Sequence, residues 1–250
     1  MTLLRFDLAL STLGVSAGLP PRRVIEWASG AGFRSVVLDA ARPGVRPRDL
    51  DRSARRGLAS ALRRLELRLA GLELWIPAAH YASPASSDRA VSATLSAIDL
   101  LAELAALMET DRTLTITLPA EGAEEAIDTV AQAAHRAEVR LASATWPRRP
   151  VEEAGNAAPV GLCLDPRAII RDRGDPVALV TAWPGAPEAA RWAFTSGRPG
   201  EVIDPVAYAS ALSVVGFAGA VALDLRDSAD PESDATPALA RWRQADPFPA

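Results

Sequence analysis

The chain has 250 residues, 49% hydrophobic and 23% charged, the balance of a globular protein that can bury a full core without covalent staples. One cysteine, Cys163, excludes an intrachain disulfide framework and a cysteine zinc site, and two histidines exclude a His-rich metal cluster. A net charge of −4 argues against a general nucleic-acid binder, and all 27 basic residues are Arg, which excludes Schiff-base lysine chemistry and a P-loop lysine.

Short apolar runs alternate with longer amphipathic stretches along the whole chain. Residues 4–10 read as a strand that stops at Ser11-Thr12-Leu13-Gly14. Pro20-Pro21 opens a helix to about Ala31, and Gly32 follows in the position past a helix end that glycine favours. Residues 35–39 form a second strand. Residues 47–65 form a helix with Arg on one face and Leu and Ala on the other. A strand at 69–76, a loop at 77–87 and a long helix at 88–108 come next. They are followed by a strand at 114–118 and a helix at 123–136.

The second half keeps the rhythm more weakly. Strands are expected at 139–143, 160–164, 191–195 and 220–225. Helices are expected at 176–181, 205–215 and 236–244, and 144–159 reads as loop. No run of 18 apolar residues is present, so no membrane span is expected. Arg5 and Asp7 interrupt the apolar start, which does not suit a secretory signal, and the cytoplasm is the expected location.

Eight strands alternating with helices imply a parallel sheet with helical crossovers. Eight units in 250 residues match a single (β/α)8 TIM barrel, here over residues 1–244 with a loose tail at 245–250. A doubly wound open sheet is the alternative. The turn after the first strand lacks its G-x-G-x-x-G spacing.

Polar groups ending the strands of such a barrel are the candidates for chemistry. Three strands end in Leu-Asp, at Asp39, Asp165 and Asp224. Asp165 and Asp224 could hold a hard divalent ion, whereas a strand-end Asp, Asp39 above all, ordinarily caps a turn or the next helix. Arg167 and Arg226, each two residues further on, could pair with them. His80, in the loop after the third strand, has the side-chain chemistry of an acid–base group near neutral pH. His135, in the last turn of a helix, reads as structural. Trp75 and Trp146 could wall the mouth against a sugar ring, or simply pack. The loop with Thr195, Arg198 and Glu201 offers hydroxyl, guanidinium and backbone N–H groups to an anion, though its composition also suits an ordinary surface loop.

These segments resemble the sugar phosphate isomerase/epimerase group, the xylose-isomerase-like TIM barrels. The resemblance is carried by Leu10-Ser11-Thr12-Leu13-Gly14 with Gly32-Phe33-Arg34-Ser35-Val36-Val37-Leu38-Asp39, by Val160-Gly161-Leu162-Cys163-Leu164-Asp165-Pro166, and by Gly216-Phe217-Ala218-Gly219-Ala220-Val221-Ala222-Leu223-Asp224. It implies a divalent metal held by acids ending strands five, six and eight and a His on strand seven. Here Asp165 matches and Asp224 stands for a Glu. The fifth strand ends without a carboxylate and the seventh carries no His. The resemblance therefore implies Mg²⁺ or Mn²⁺ held weakly by Asp165 and Asp224, or no cofactor. The expected ligand is a small carbohydrate-like molecule, with neither nucleic acid nor membrane as partner, and an oligomer is compatible with the fold. Two functions follow. One is an isomerase or epimerase using Asp224, Asp165 and His80, with Trp75, Trp146, Arg167, Thr195, Arg198, Glu201 and Arg226 around the substrate. The other is a catalytically degenerate barrel that binds a small molecule or serves a structural role.

Overall fold

The computed structural model describes residues 6–15, 18–145, 160–194 and 203–245. Eight parallel strands close into a barrel in sequence order: β1 (Leu8–Ser11), β2 (Ser35–Asp39), β3 (Arg68–Leu74), β4 (Thr113–Ile116), β5 (Arg140–Ser143), β6 (Gly161–Leu164), β7 (Ala189–Ala193) and β8 (Val221–Asp224). The ring is sealed by β1 against β8, with Leu8, Ala9 and Leu10 opposite Val221, Ala222 and Leu223. An open sheet is thereby excluded.

The helices lie between the strands: α1 (Pro21–Gly30), α2 (Arg52–Arg64), α3 (Ala79–Ala82), α4 (Ser87–Leu107), α5 (Glu124–Arg136), α6 (Pro166–Arg171), α7 (Pro176–Ala182), α8 (Pro205–Val214) and α9 (Pro231–Gln244). Gly32, at φ +91°, ends α1 as the sequence suggested. The single helix expected at 47–65 is a 3-10 turn followed by α2. Asp51 separates them and accepts a hydrogen bond from the Ala54 N–H at 2.7 Å, capping α2. A short helix, α3, falls where loop was expected, and another, α6, fills a stretch to which the sequence assigned no element. By length and composition α4 could cross a membrane, but Ala97, Ile98, Leu101 and Leu104 on it are buried in the protein.

Alternation along the strands sorts their side chains to two sides. Leu, Val, Ile and Trp192 face outward into the core beneath the helices, where Trp192 meets Trp242 of α9 at 5.3 Å between ring centroids. Inside the barrel the residues are small: Ala9, Val37, Ala70 and Ala222 form one cluster, and Ala142, Ala144 and Cys163 another. Against that small-residue lining, two long charged side chains stand out, Glu73 on β3 and Arg191 on β7, both buried.

Candidate functional site

Three strand ends share one local device. Asp39 accepts from the Ala41 N–H at 2.8 Å, Asp165 from the Arg167 N–H at 3.1 Å and Asp224 from the Arg226 N–H at 3.0 Å, each through Oδ1. The N–H two residues on is thus satisfied by the Asp itself, so the capping role of these residues is real. In Asp165 and Asp224 it uses only part of each carboxylate. The Oδ2 atoms turn to other partners.

Those partners are guanidinium groups. Arg226 donates to Asp224 through Nε and Nη2, with Nη2 at 2.5 Å from Oδ2, and the same Nη2 lies 3.1 Å from Asp165 Oδ2. Arg191 reaches across the barrel from β7 and donates to Glu73 Oε2 on β3, while its Nη2 stands 3.5 Å from Asp224 Oδ2. Ser11 at the end of β1 donates to Glu73 Oε1. Arg167 pairs with Asp227 and lies 3.7 Å from Asp224. Strands β1, β3, β6, β7 and β8 are therefore joined across the mouth by one charged network.

Trp75, just past β3, belongs to it. Its Nε1 donates to Glu73 Oε2 at 3.1 Å, and the guanidinium carbons of Arg226 and Arg191 lie 4.3 and 5.0 Å from its ring centroid. At these distances a guanidinium is attracted by the ring's quadrupole.

Burial and charge oppose each other here, and charge wins. Burial would push the Asp224 carboxyl up, but Arg191 and Arg226 hold it well below the usual carboxylate range. Burial would likewise pull the Arg191 guanidinium down, but Glu73, Asp224 and Asp165 raise it. Asp224 is thus fixed as an anion and Arg191 as a cation. Asp39 behaves differently. Burial, with a smaller push from Glu73, raises its carboxyl to about 6, despite the Ala41 N–H and Arg42 and Arg46. That places an acid–base group near neutrality at the end of β2, directly opposite Glu73 in the strand register. Cys163 inside the barrel has its thiol pushed up to about 12 by burial and is not a nucleophile.

The expected weak ion site at Asp165 and Asp224 meets a difficulty in these contacts. Mg²⁺ or Mn²⁺ needs several oxygen donors converging on one point. Among the described residues no three His, Cys, Asp or Glu side chains converge in that way. The Oδ2 atoms that an ion would share are both bound to Nη2 of Arg226. The residues present do not fit a divalent ion.

Of the residues singled out in the sequence, Asp165, Asp224, Arg167, Arg226 and Trp75 come together. The pairing of the arginines is crossed, with Arg226 bridging both Asp residues. His80 does not join them: it lies exposed on α3, and among the described residues its imidazole has no partner. Trp146, Thr195, Arg198 and Glu201 lie outside the described residues. Glu73 and Arg191 were missed. Their signal was a lone charge inside an apolar strand, Leu72-Glu73-Leu74 and Ala190-Arg191-Trp192.

Below Arg191 the barrel encloses a cavity of about 30 Å³, including Val37, Thr113, Thr115 and Ala222 in its wall. A cavity of that size admits water and excludes a sugar-sized ligand. A separate cleft between α4 and the start of α5, with Tyr81, Val91 and Glu124 in its wall, contains none of the charged network.

The barrel superposes on solved structures over nearly its whole length. A D-psicose 3-epimerase from Clostridium cellulolyticum H10, solved with D-tagatose, matches with a TM-score of 0.72 at 14% identity, covering 96% of this chain and 99% of that one. The fold is the xylose-isomerase-like TIM barrel. A xylose isomerase domain protein from Alicyclobacillus acidocaldarius matches at a TM-score of 0.66 and 19% identity, over 96% and 97% of the two chains. An AP endonuclease, family 2, from Brucella melitensis matches this xylose-isomerase-like barrel at 0.64 and 20%, over 92% and 96%. No protein-family model matches the chain, and no curated protein matches it in sequence. At these identities the likeness is one of fold, and function has to be argued from the residues at the mouth.

Proposed function

We propose that the protein is an isomerase- or epimerase-type enzyme that moves a proton next to the carbonyl of a small sugar-like compound without a resident divalent ion. The observation that carries this reading is Asp39, whose carboxyl is raised to about 6 at the end of β2, opposite the Glu73 that anchors the guanidinium network. A base near the working pH and a donor for the developing oxyanion are the two groups such a proton transfer needs.

The roles follow from exposure. Arg226 and Arg167 are each about one-fifth exposed, whereas Arg191 is closed off, so the first two face a ligand. Asp39 takes the proton from the carbon beside the carbonyl. The carbonyl oxygen becomes an enediolate oxygen that accepts hydrogen bonds from Arg226 or Arg167. Asp39 then returns the proton to the neighbouring carbon, while the hydroxyl proton on the first carbon passes to the former carbonyl oxygen, so that the carbonyl has moved by one carbon and the isomerisation is complete. Trp75 offers an apolar ring face to the C–H side of the substrate. Asp224 is held ionised and makes a poor base, so it orients Arg226 and does not move the proton.

Incubating the protein with a panel of ketoses, aldoses and their phosphates in D₂O with EDTA tests this. Deuterium should enter at the carbon beside the carbonyl, and Asp39→Asn should slow the exchange by roughly 10²–10⁴-fold. A second reading has its own support, because Asp165, Asp224 and Glu73 are all tied to guanidinium groups. In a barrel that only binds, the same panel would quench Trp fluorescence saturably and no deuterium would be incorporated.

A further inference from the structure

We infer that the guanidinium groups of Arg191 and Arg226 are the resident cations of this mouth, built into the chain in place of an exchangeable divalent ion. The inference is independent of turnover and concerns what balances the charge of Glu73, Asp165 and Asp224.

Position argues it first. Nη2 of Arg226 lies 2.5 Å from Asp224 Oδ2 and 3.1 Å from Asp165 Oδ2, so one nitrogen bridges two carboxylates from different strands. Arg191 repeats the arrangement between Glu73 and Asp224. A bridging cation between acids of separate strands is the task that the resemblance assigns to a divalent ion. Here two planar groups perform it with directional hydrogen bonds.

The surroundings argue it independently. Trp75 turns its ring to both guanidinium groups. A weakly hydrated planar cation gains from an aromatic face. A hard divalent ion seeks oxygen and retains water, and an indole supplies neither. Trp75 is also tethered through its Nε1 to Glu73, so the aromatic face is set by the same carboxylate that holds Arg191. Arg191 is closed to solvent and its guanidinium cannot release its proton at any working pH. Its charge is therefore permanent, unlike that of an ion that equilibrates with the medium.

Mn²⁺ binding to the full-length protein tests the inference, read by the paramagnetic signal of free Mn²⁺ and by the melting temperature. The wild type should leave Mn²⁺ free and melt at the same temperature in Mn²⁺ and in EDTA. Arg226→Ala exposes the two carboxylates to each other, and it should bind Mn²⁺ and melt several degrees higher when the ion is present. Adding Asp224→Asn to that variant should abolish both effects. Arg226→Gln serves as a second variant that retains more of the stem over Trp75. Stoichiometric Mn²⁺ on the wild type, lost in Asp224→Asn, would overturn the inference. So would indifference to Mn²⁺ of folded Arg226→Ala and Arg226→Gln. If neither variant folds, the wild-type measurement decides alone, with bound Mn²⁺ counting against the inference and free Mn²⁺ with an unchanged melt counting for it.

Discussion

Asp39 and Arg191 show two outcomes for a charge placed in a barrel. At Asp39 burial outweighs the Ala41 N–H and the nearby Arg42 and Arg46, so its proton is retained to about pH 6 instead of the usual 3.8. A folded-state value above the unfolded one means that ionisation destabilises the fold. The stability is complete below pH 3.8 and declines as the pH climbs through 6, by ~3 kcal/mol at most for a shift of this size. Asp39→Asn should therefore stabilise the protein relative to wild type at pH 8 and about half as much at pH 5. Denaturant midpoints at the two pH values check this, and an equal effect at both would refute the assignment. Arg191 has its partners, and its loss is the costly event. Arg191→Met removes the guanidinium partner of the buried Glu73, while Asp224 keeps Arg226, and should cost about 3–5 kcal/mol. Coupling it to Glu73→Gln should recover a substantial part, which a double-mutant cycle measures.

At the scale of elements, the strands were readable because inward and outward positions differ in size as well as polarity. The run at 35–39 is β2 without change, and β4, β5, β6 and β8 differ from expectation by one or two residues at their ends. The largest departures have local causes. Asp51 caps a helix inside what read as one long helix, and Asp165 with Pro166 starts α6 directly at a strand end. In β3 the register slips between Val36 and Val37 of the neighbouring strand, and Gly71 stands at φ +142° opposite the slip. A Cβ there would come within 2.4 Å of the Thr113 carbonyl oxygen. Gly71→Ala should thus cost more than ~2 kcal/mol and weaken the β3–β4 pairing. Denaturant unfolding measures the loss. Because that irregularity precedes Glu73 by two residues, the same variant should disturb the Glu73–Arg191 pair.

For the molecule as a whole, closure depends on the first and last strands meeting. β1 pairs with β8, and Trp242 of α9 donates to the Phe6 carbonyl at 3.0 Å while packing on Trp192. Trp242→Ala should lower stability by about 3–5 kcal/mol, read as a drop in the unfolding midpoint. What the sequence by itself determined was the barrel: the eight-fold alternation of apolar runs and amphipathic stretches, the size of the chain and the Leu-Asp strand ends are local properties. It also placed Asp165, Asp224, Arg167, Arg226 and Trp75 at one face, since every strand of a βα barrel ends there. Only the tertiary structure decided who pairs with whom. Glu73 and Arg191 are 118 residues apart and meet because β3 and β7 lie on different sides of one ring. Arg226 was expected to serve its own neighbour Asp224, and it also reaches Asp165 because β6 and β8 curve toward the same mouth. Charge balance is a property of atoms brought within a few ångströms, and neither composition nor spacing contains that distance.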